Sequence, residues 1–322
     1  MLPTENILGR RSEPMNLQAR LKLWYHALRP FTYSAAIVPV LVGSAIAWRD
    51  SHFGTVLFVL TLFGSVFIQM GTNLANEYFD YVQGVDKVDS LGPAGVIIQG
   101  QVPAMQVLFA AGFAFAIGAI LGVYIFLQVG IIVFIVGVVS VLFAWFYTAK
   151  PFSLGYRGLG EPEVFVFMGP VMVSAAYYVQ ARSFTWIPLL VSIPVGFLVT
   201  AILHANNLRD IDQDSERNRL TWAVLACRLW GIERGRRIAC WEYYAMLLCA
   251  YLTLTMLTAL GLVPWLVLLT LLTIPQALCL IRCVSSGIKG KTLSRVVRGT
   301  SLLHLTFGLA LTIGYVLAGL LV

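Results

Sequence analysis

Seven stretches of this chain contain no Asp, Glu, Lys or Arg at all: residues 30–48, 51–76, 90–149, 164–181, 183–208, 243–281 and 299–322, together 212 of 322 residues. Nothing else in the sequence limits the fold so strongly. A bilayer core takes about 20 apolar residues per helix. A soluble domain is about 25% charged, against 11% here. In hydrocarbon each backbone polar group must be satisfied internally, which leaves helices or closed barrels. Barrel strands show short segments of alternating hydrophobicity, whereas these runs are continuous and 18 to 60 residues long. They are read as helices.

The 60-residue run breaks at Gln128–Gly130 and the 39-residue run at Gly261–Pro264, so each holds two spans. The expectation is an all-α membrane protein with nine transmembrane helices, at about 30–48, 54–78, 104–126, 130–148, 163–181, 184–207, 237–260, 263–283 and 298–321. Residues 1–29 are polar and basic without an apolar h-region, so they read as a cytoplasmic tail and not a signal peptide. Residues 30–322 form the nine-helix domain.

With the N-terminus inside, 20 of the 22 Lys and Arg fall on the cytoplasmic face, and only Arg49 and Arg182 fall on the other. That bias orients the chain and puts the C-terminus outside. The net charge of +7 is then a topology signal with attraction to anionic lipid. It is no nucleic-acid footprint, because no basic stretch lies in a soluble domain. The five cysteines lie in or beside apolar spans without a CxxC pair and read as packing residues. The sequence names no protein partner beyond the bilayer.

Two polar stations stand at the cytoplasmic ends of spans 2 and 6. The first holds Asn73, Asn76, Glu77, Asp80 and, beyond Gly84, Asp86; the second holds His204, Asn207, Arg209, Asp210, Asp212 and Asp214. Asn73 to Asp80 and Asn207 to Asp214 are both seven residues, and the two pairs are 134 residues apart. An even number of spans between them lets both helices run the same way, so the stations can face each other at one depth. Clustered carboxylates repel and raise one another's pKa. Carboxylate and Asn oxygens are the ligands that Mg²⁺ prefers, and Mg²⁺ characteristically pairs one or two protein carboxylates with substrate phosphates. Two facing clusters suit two or more ions clamping a diphosphate. Asp80, Asp210 and Asp214 are the expected catalytic core, with Asn76 and Asp86 as further metal ligands.

The stations resemble the NDxxD-type and DxxxD motifs of the UbiA superfamily of intramembrane aromatic prenyltransferases. The resemblance runs from Arg29-Pro30 to the last span. It includes Asp80-Tyr-Val-Gln-Gly84-Val-Asp86, Tyr147-Thr148-Ala-Lys150-Pro151, Leu154 to Glu161, Tyr177 to Gln180, and His204 to Asp210. Within the superfamily it is most similar to the branch that prenylates 1,4-dihydroxy-2-naphthoate in menaquinone biosynthesis. The chain departs from that pattern at Glu77, where an Asp is usual, and at Arg219, where a Lys is usual. A short insertion falls near Cys227–Trp230.

The resemblance implies a bundle with a central cavity opening to the cytoplasmic side, in a prokaryotic cell membrane. It also implies transfer of a polyprenyl group from polyprenyl diphosphate to an aromatic acceptor acid. For naphthoate the attacked carbon loses CO₂, giving a demethylmenaquinone-type product. The leaving diphosphate needs positive charge, which Mg²⁺, Lys150, Arg157, Arg209 and Arg219 can supply. The allylic cation needs a dry site and a π-face, for which Tyr78, Phe79, Tyr147, Tyr156, Tyr177 and Tyr178 are candidates. Asn73, Glu77, His204 and Asn207 complete the expected substrate-binding set. Lys150 and Arg157 read equally as positive-inside anchors, and His204 as a bond within the bundle.

Other classes fit less well. A secondary transporter would carry mid-membrane Gly/Pro breaks reachable from both sides, and the outer face here is nearly bare of polar residues. The DGxxAR run of CDP-alcohol phosphatidyltransferases is absent. Within the preferred class, 4-hydroxybenzoate, homogentisate or a tetrapyrrole ester are the competing acceptors.

Overall fold

The computed structural model describes residues 17–85, 91, 95–287 and 290–321. Among them there are helices and no strand, only an isolated bridge between Arg157 and Leu220. The elements are α1 (Leu17–Leu28), α2 (Ser34–Arg49), α3 (Thr55–Val82), α4 (Ala104–Val129), α5 (Ile131–Phe146), α6 (Gly160–Val166) and α7 (Met172–Ala181). They continue with α8 (Trp186–Glu216), α9 (Trp222–Trp230), α10 (Ile232–Ala259), α11 (Ile274–Ser285) and α12 (Ser294–Leu320). A π-helical segment, Phe167–Val171, joins α6 to α7, and a 3₁₀ segment, Trp265–Thr273, runs into α11.

Among the described residues eight helical stretches are long and apolar enough to cross a membrane. The ninth expected span corresponds to α5, which has 16 residues. At 1.5 Å per residue it is about 24 Å long, short of a hydrocarbon core of about 30 Å. The opposite holds for α3 and α8, with 28 and 31 residues. They are about 42 and 46 Å long. Their polar last turns stay helical past the point where an apolar span ends, and those turns carry the two stations. Side-chain positions there are therefore set by helical geometry instead of by a loop.

Small residues bring the helices close, as is usual where lipid supplies no hydrophobic drive between them. A Cβ on Gly43 of α2 would stand 2.4 Å from the Val173 carbonyl of α7, and one on Gly308 of α12 would stand 2.3 Å from Val38. The main core gathers around α2, α8, α10 and α12, with Tyr243, Phe307 and Tyr315 fully buried. A second cluster packs Leu23 and Ala27 of α1 against Leu74 and Ala75 of α3 and against Val96, Ile97 and Val102. It ties α1 and the segment around residue 96 to the back of the first station.

Candidate active site

The last turns of α3 and α8 open onto one cavity of about 410 Å³, lined by Asn73, Asn76 and Asp80 from the first station and Asn207, Arg209, Asp210 and Asp214 from the second. Arg29, Arg217 and Arg219 also reach it. Away from the acids its wall is apolar, with residues such as Ile68, Ile125, Val136, Phe143 and Phe167 from α3, α4, α5 and the π-helical segment.

The loops around residues 156 and 219 are sewn together and bring the stations into electrical contact. Leu220 N–H donates to the Tyr156 carbonyl at 3.0 Å, and Trp222 Nε1–H donates to the Gly158 carbonyl at 3.0 Å. Thr221 caps α9 by accepting from Val224 N at 3.3 Å. Tyr156 thereby lies under Arg219, whose guanidinium sits 4.9 Å from the ring centroid, while its hydroxyl donates to Asp80 Oδ1. Arg219 Nη1 is 3.7 Å from Asp214 Oδ1. Burial works against the Arg219 charge, but Asp214 and Asp80 outweigh it and hold its pKa above the ordinary arginine range. It is a permanent cation between the two stations.

The remaining station residues have partners that fix them. Arg209 grips Asp210 with two bonds, Nε to Oδ1 at 2.8 Å and Nη2 to Oδ2 at 2.6 Å. Asn76 Oδ1 accepts from the Thr148 hydroxyl at 2.9 Å. Asn73 lines the cavity but uses its amide to fasten the turn before α2, donating to the Leu28 carbonyl and to Thr32 Oγ1, both at 2.9 Å. Asn207 Nδ2 donates to Glu161 Oε1 at 2.7 Å.

Several expected binding residues stand elsewhere. Glu77 is 1% exposed and turns away from the cavity. It accepts from Gly95 N at 2.8 Å, Val96 N at 3.0 Å and Arg29 Nη2 at 3.0 Å. Its extra methylene lets it reach these donors from a position 60° around the helix from Asp80. His204 is buried behind the cavity, with Nε2–H donating to the Ala239 carbonyl at 2.9 Å and Nδ1 3.4 Å from Glu161. Lys150 and Arg157 are exposed, and Arg157 donates to the Pro151 carbonyl. Asp86 lies outside the described residues.

Of the aromatic candidates Tyr147 lines the cavity, while Tyr156 contacts Asp80 and Arg219. Tyr78 and Phe79 stack on each other, and Phe79 also meets Trp145. Tyr177 donates to Asp50 at the far end of the bundle, where Tyr178 stacks on Phe184. Sequence reasoning gave no role to Arg29, Thr148, Glu161 or Glu163. An acid at the very start of an apolar span was the available signal for the last two.

The donor set fits a hard cation. Carboxylates of Asp80, Asp210 and Asp214 and the Asn76 amide oxygen share the cavity, and buried Asp214 Oδ2 has no hydrogen-bond partner among the described residues. Those residues contain no group of three acids, histidines or cysteines that could cage an ion alone. That suits Mg²⁺, which keeps few protein ligands and completes its shell with water and phosphate.

The chain has counterparts of known family. It is 36% identical over 288 residues to 1,4-dihydroxy-2-naphthoate octaprenyltransferase from Mycobacterium tuberculosis, covering 89% of this chain and 94% of that protein. It is 32% identical over 300 residues to the protein of the same name from Escherichia coli, covering 91% and 96%. A UbiA homolog from Aeropyrum pernix K1, solved in the apo state, superposes with a TM-score of 0.62 at 13% identity, covering 89% of this chain and 98% of that one. A UbiA homolog from Archaeoglobus fulgidus bound to GPP and Mg²⁺ gives 0.57 at 13% identity, covering 90% and 99%. At such identity these two likenesses speak for the fold alone. The profile of the UbiA prenyltransferase family matches residues 36–292, and the chain belongs to that family.

Proposed function

We propose that this protein transfers a polyprenyl group from its diphosphate to 1,4-dihydroxy-2-naphthoate, with loss of CO₂, to give the reduced form of demethylmenaquinone. The observation that carries the reading is the meeting of Asp80, Asp210 and Asp214 with Arg29, Arg209, Arg217 and Arg219 around one cavity whose wall elsewhere is mainly apolar. An apolar tail with a polyanionic head and a planar acid fits such a space. The naphthoate-prenylating relatives, matched over nine-tenths of the chain, support the choice of acceptor.

In this reading Asn76, Asp80, Asp210 and Asp214 hold two or more Mg²⁺ ions, with Asp86 as a further ligand. Bound Mg²⁺ supplies Lewis-acid charge for the leaving diphosphate. Arg219 and Arg209 add fixed guanidinium donors, which match phosphate oxygens in pairs. The prenyl C1–O bond breaks and its electron pair leaves with the diphosphate. A ring carbon of the acceptor forms the new C–C bond, and the carboxylate on that carbon departs as CO₂, returning its electron pair to the ring. Phe143, Tyr147 and Phe167 present ring faces and exclude water while the allylic cation exists. The site opens to the cytoplasm, with the N-terminus inside, the C-terminus outside and α5 as the short ninth crossing of a prokaryotic cell membrane.

The test is to incubate purified protein with Mg²⁺, a polyprenyl diphosphate and separate aromatic acids, and to weigh the products by mass spectrometry. Prenylated naphthalenediol with stoichiometric CO₂ is the expected result, abolished by chelator and restored by Mg²⁺. Prenylation of 4-hydroxybenzoate or homogentisate in preference to the naphthoate would move the assignment to that acceptor. Turnover that survives chelation would refute the metal role.

A further inference from the structure

The cavity wall carries one acid that no side chain among the described residues engages. Glu163 of α6 lines the cavity, and its Oε2 is shut off from solvent with no hydrogen-bond partner among the described residues. Its near neighbour makes the contrast plain. Glu161 is 1% exposed and engaged through Oε1, which accepts from Asn207 Nδ2 at 2.7 Å and faces His204 Nδ1 at 3.4 Å. Buried polar groups are nearly always bonded, and an ionisable group at membrane depth is a functional candidate by default. A wall acid left unpaired has its partner in the ligand.

The surroundings place Glu163 at the reacting end of the cavity. Glu163 shares the cavity wall with Tyr147, Asp80 and Arg219. The helix carrying Glu163 passes directly into the π-helical segment Phe167–Val171, a rare geometry frequent at functional sites, and Phe167 and Val171 line the same cavity.

The chemistry of the ligands then selects the partner. A carboxylate only accepts hydrogen bonds, so it repels the diphosphate and has nothing to offer the hydrocarbon tail. It stands on α6, on neither of the two helices that carry Asp80, Asp210 and Asp214. What remains is the aromatic acceptor, whose ring hydroxyls are donors. Resting on the prenyl-transfer reading above, we propose that Glu163 is a catalytic residue that binds a ring hydroxyl of the acceptor and takes its proton as the C–C bond forms. Proton removal leaves the ring oxygen anionic and the ring carbon more nucleophilic. The C1–O bond of the prenyl diphosphate breaks in the same step, its electrons leaving with the diphosphate. When CO₂ departs, the electron pair it leaves restores the aromatic ring and the anionic oxygen, and Glu163 returns the proton there. No net proton is gained or lost.

The experiment compares the full-length wild-type protein with Glu163→Gln and Glu163→Asp. Acceptor and prenyl diphosphate are varied separately, and O-methylated acceptors are run beside the free hydroxyl forms. A positioned base contributes about 10²–10⁴-fold. Glu163→Gln is expected to lower kcat/KM for the acceptor by at least about 10²-fold, with the KM for prenyl diphosphate within about threefold of wild type and with Glu163→Asp recovering part of the loss. Wild type should discriminate against one O-methyl ether, and Glu163→Gln should lose that discrimination. Three results overturn the inference: Glu163→Gln with wild-type acceptor kinetics, a loss shared equally by both substrates, or discrimination that persists without the carboxylate. If the wild type prenylates no aromatic acid at all, the prenyl-transfer reading itself fails and this inference falls with it.

Discussion

Replacing Glu77 separates a supporting acid from a metal ligand. The carboxylate accepts two backbone N–H bonds, from Gly95 and Val96, and one from Arg29. Glu77→Gln keeps the shape but puts an amide N–H₂ against donors. Hydrogen bonds to a charged group are worth about 1.5–3 kcal/mol and neutral ones about 0.5–1.5 kcal/mol. Weakening two and losing the third costs about 3.5–6 kcal/mol, overlapping the range of about 3–5 kcal/mol for breaking a buried pair. Arg29 is 17% exposed and can partly rehydrate, so about 3 kcal/mol is the working figure. At roughly 2–4 °C per kcal/mol the melting temperature should fall by about 6–12 °C. Glu77→Asp restores the residue usual in the family motif but is shorter by one C–C bond, about 1.5 Å, so it should also destabilise. The assay is thermal unfolding in one detergent, with and without Mg²⁺ and prenyl diphosphate. The stabilisation gained from those ligands should be the same in wild type and variant. A Glu77→Gln protein that melts with wild type yet loses the ligand increment would refute this reasoning and make Glu77 a ligand of the metal.

Further predictions follow from the same geometry. Asp80→Asn and Asp214→Asn should each reduce product formation by about 10³-fold, since the metal term is several kcal/mol and each 1.36 kcal/mol is tenfold; both should stay monodisperse on size exclusion, and wild-type turnover by either would contradict the metal role. Tyr156→Phe keeps the ring under Arg219 but removes the donor to Asp80, and should cost about tenfold in kcat/KM, read with prenyl diphosphate as the varied substrate. Arg219→Gln should weaken prenyl diphosphate by about 10²-fold, seen as a raised KM or Kd. Lys150→Ala and Arg157→Ala point away from the cavity and should stay within about threefold of wild type, whereas a larger loss in either would return it to the diphosphate site.

The fold was legible because its governing rule is local: charge-free runs of bilayer length are helices, and the eight long helices follow those runs. Asp80, Asp210 and Asp214 were legible for a related reason. Their helices are continuous past the apolar limit, so spacing along the sequence translates directly into direction. Glu77 was not, because the helical stripe admits it and only the Gly95–Val96 backbone and Arg29 draw it aside. Such donors come from distant sequence. Lys150 and Arg157 misled for the complementary reason: a positive charge in the right loop says which side of the membrane it is on, not which way it points. Glu161 and Glu163 are two positions apart and are the same residue type, yet among the described residues Glu161 is held by Asn207 and Glu163 Oε2 has no hydrogen-bond partner. Only packing against Asn207 and His204 distinguishes them.

Opposed acids at two helix ends raise the question of what holds them together before substrate arrives. Divalent ions were the expectation from sequence, but the arrangement of side chains gives a prior answer. Arg209 neutralises Asp210 through two bonds, Arg219 stands between Asp214 and the Tyr156 ring, and Tyr156 donates to Asp80. Each carboxylate therefore has a partner in the protein, and the partners are the groups that best recognise phosphate. In the proposed function, binding a metal diphosphate would be an exchange: carboxylates would pass from guanidinium and phenol to metal, and guanidinium from carboxylate to phosphate oxygen. Such an exchange would avoid uncovering a charge in a low-dielectric wall on either side of the step. Substituting Arg for the family's Lys at position 219 fits this exchange, because a planar fork can hold Asp214 and still lie over Tyr156, which a point ammonium on a flexible stem does less well.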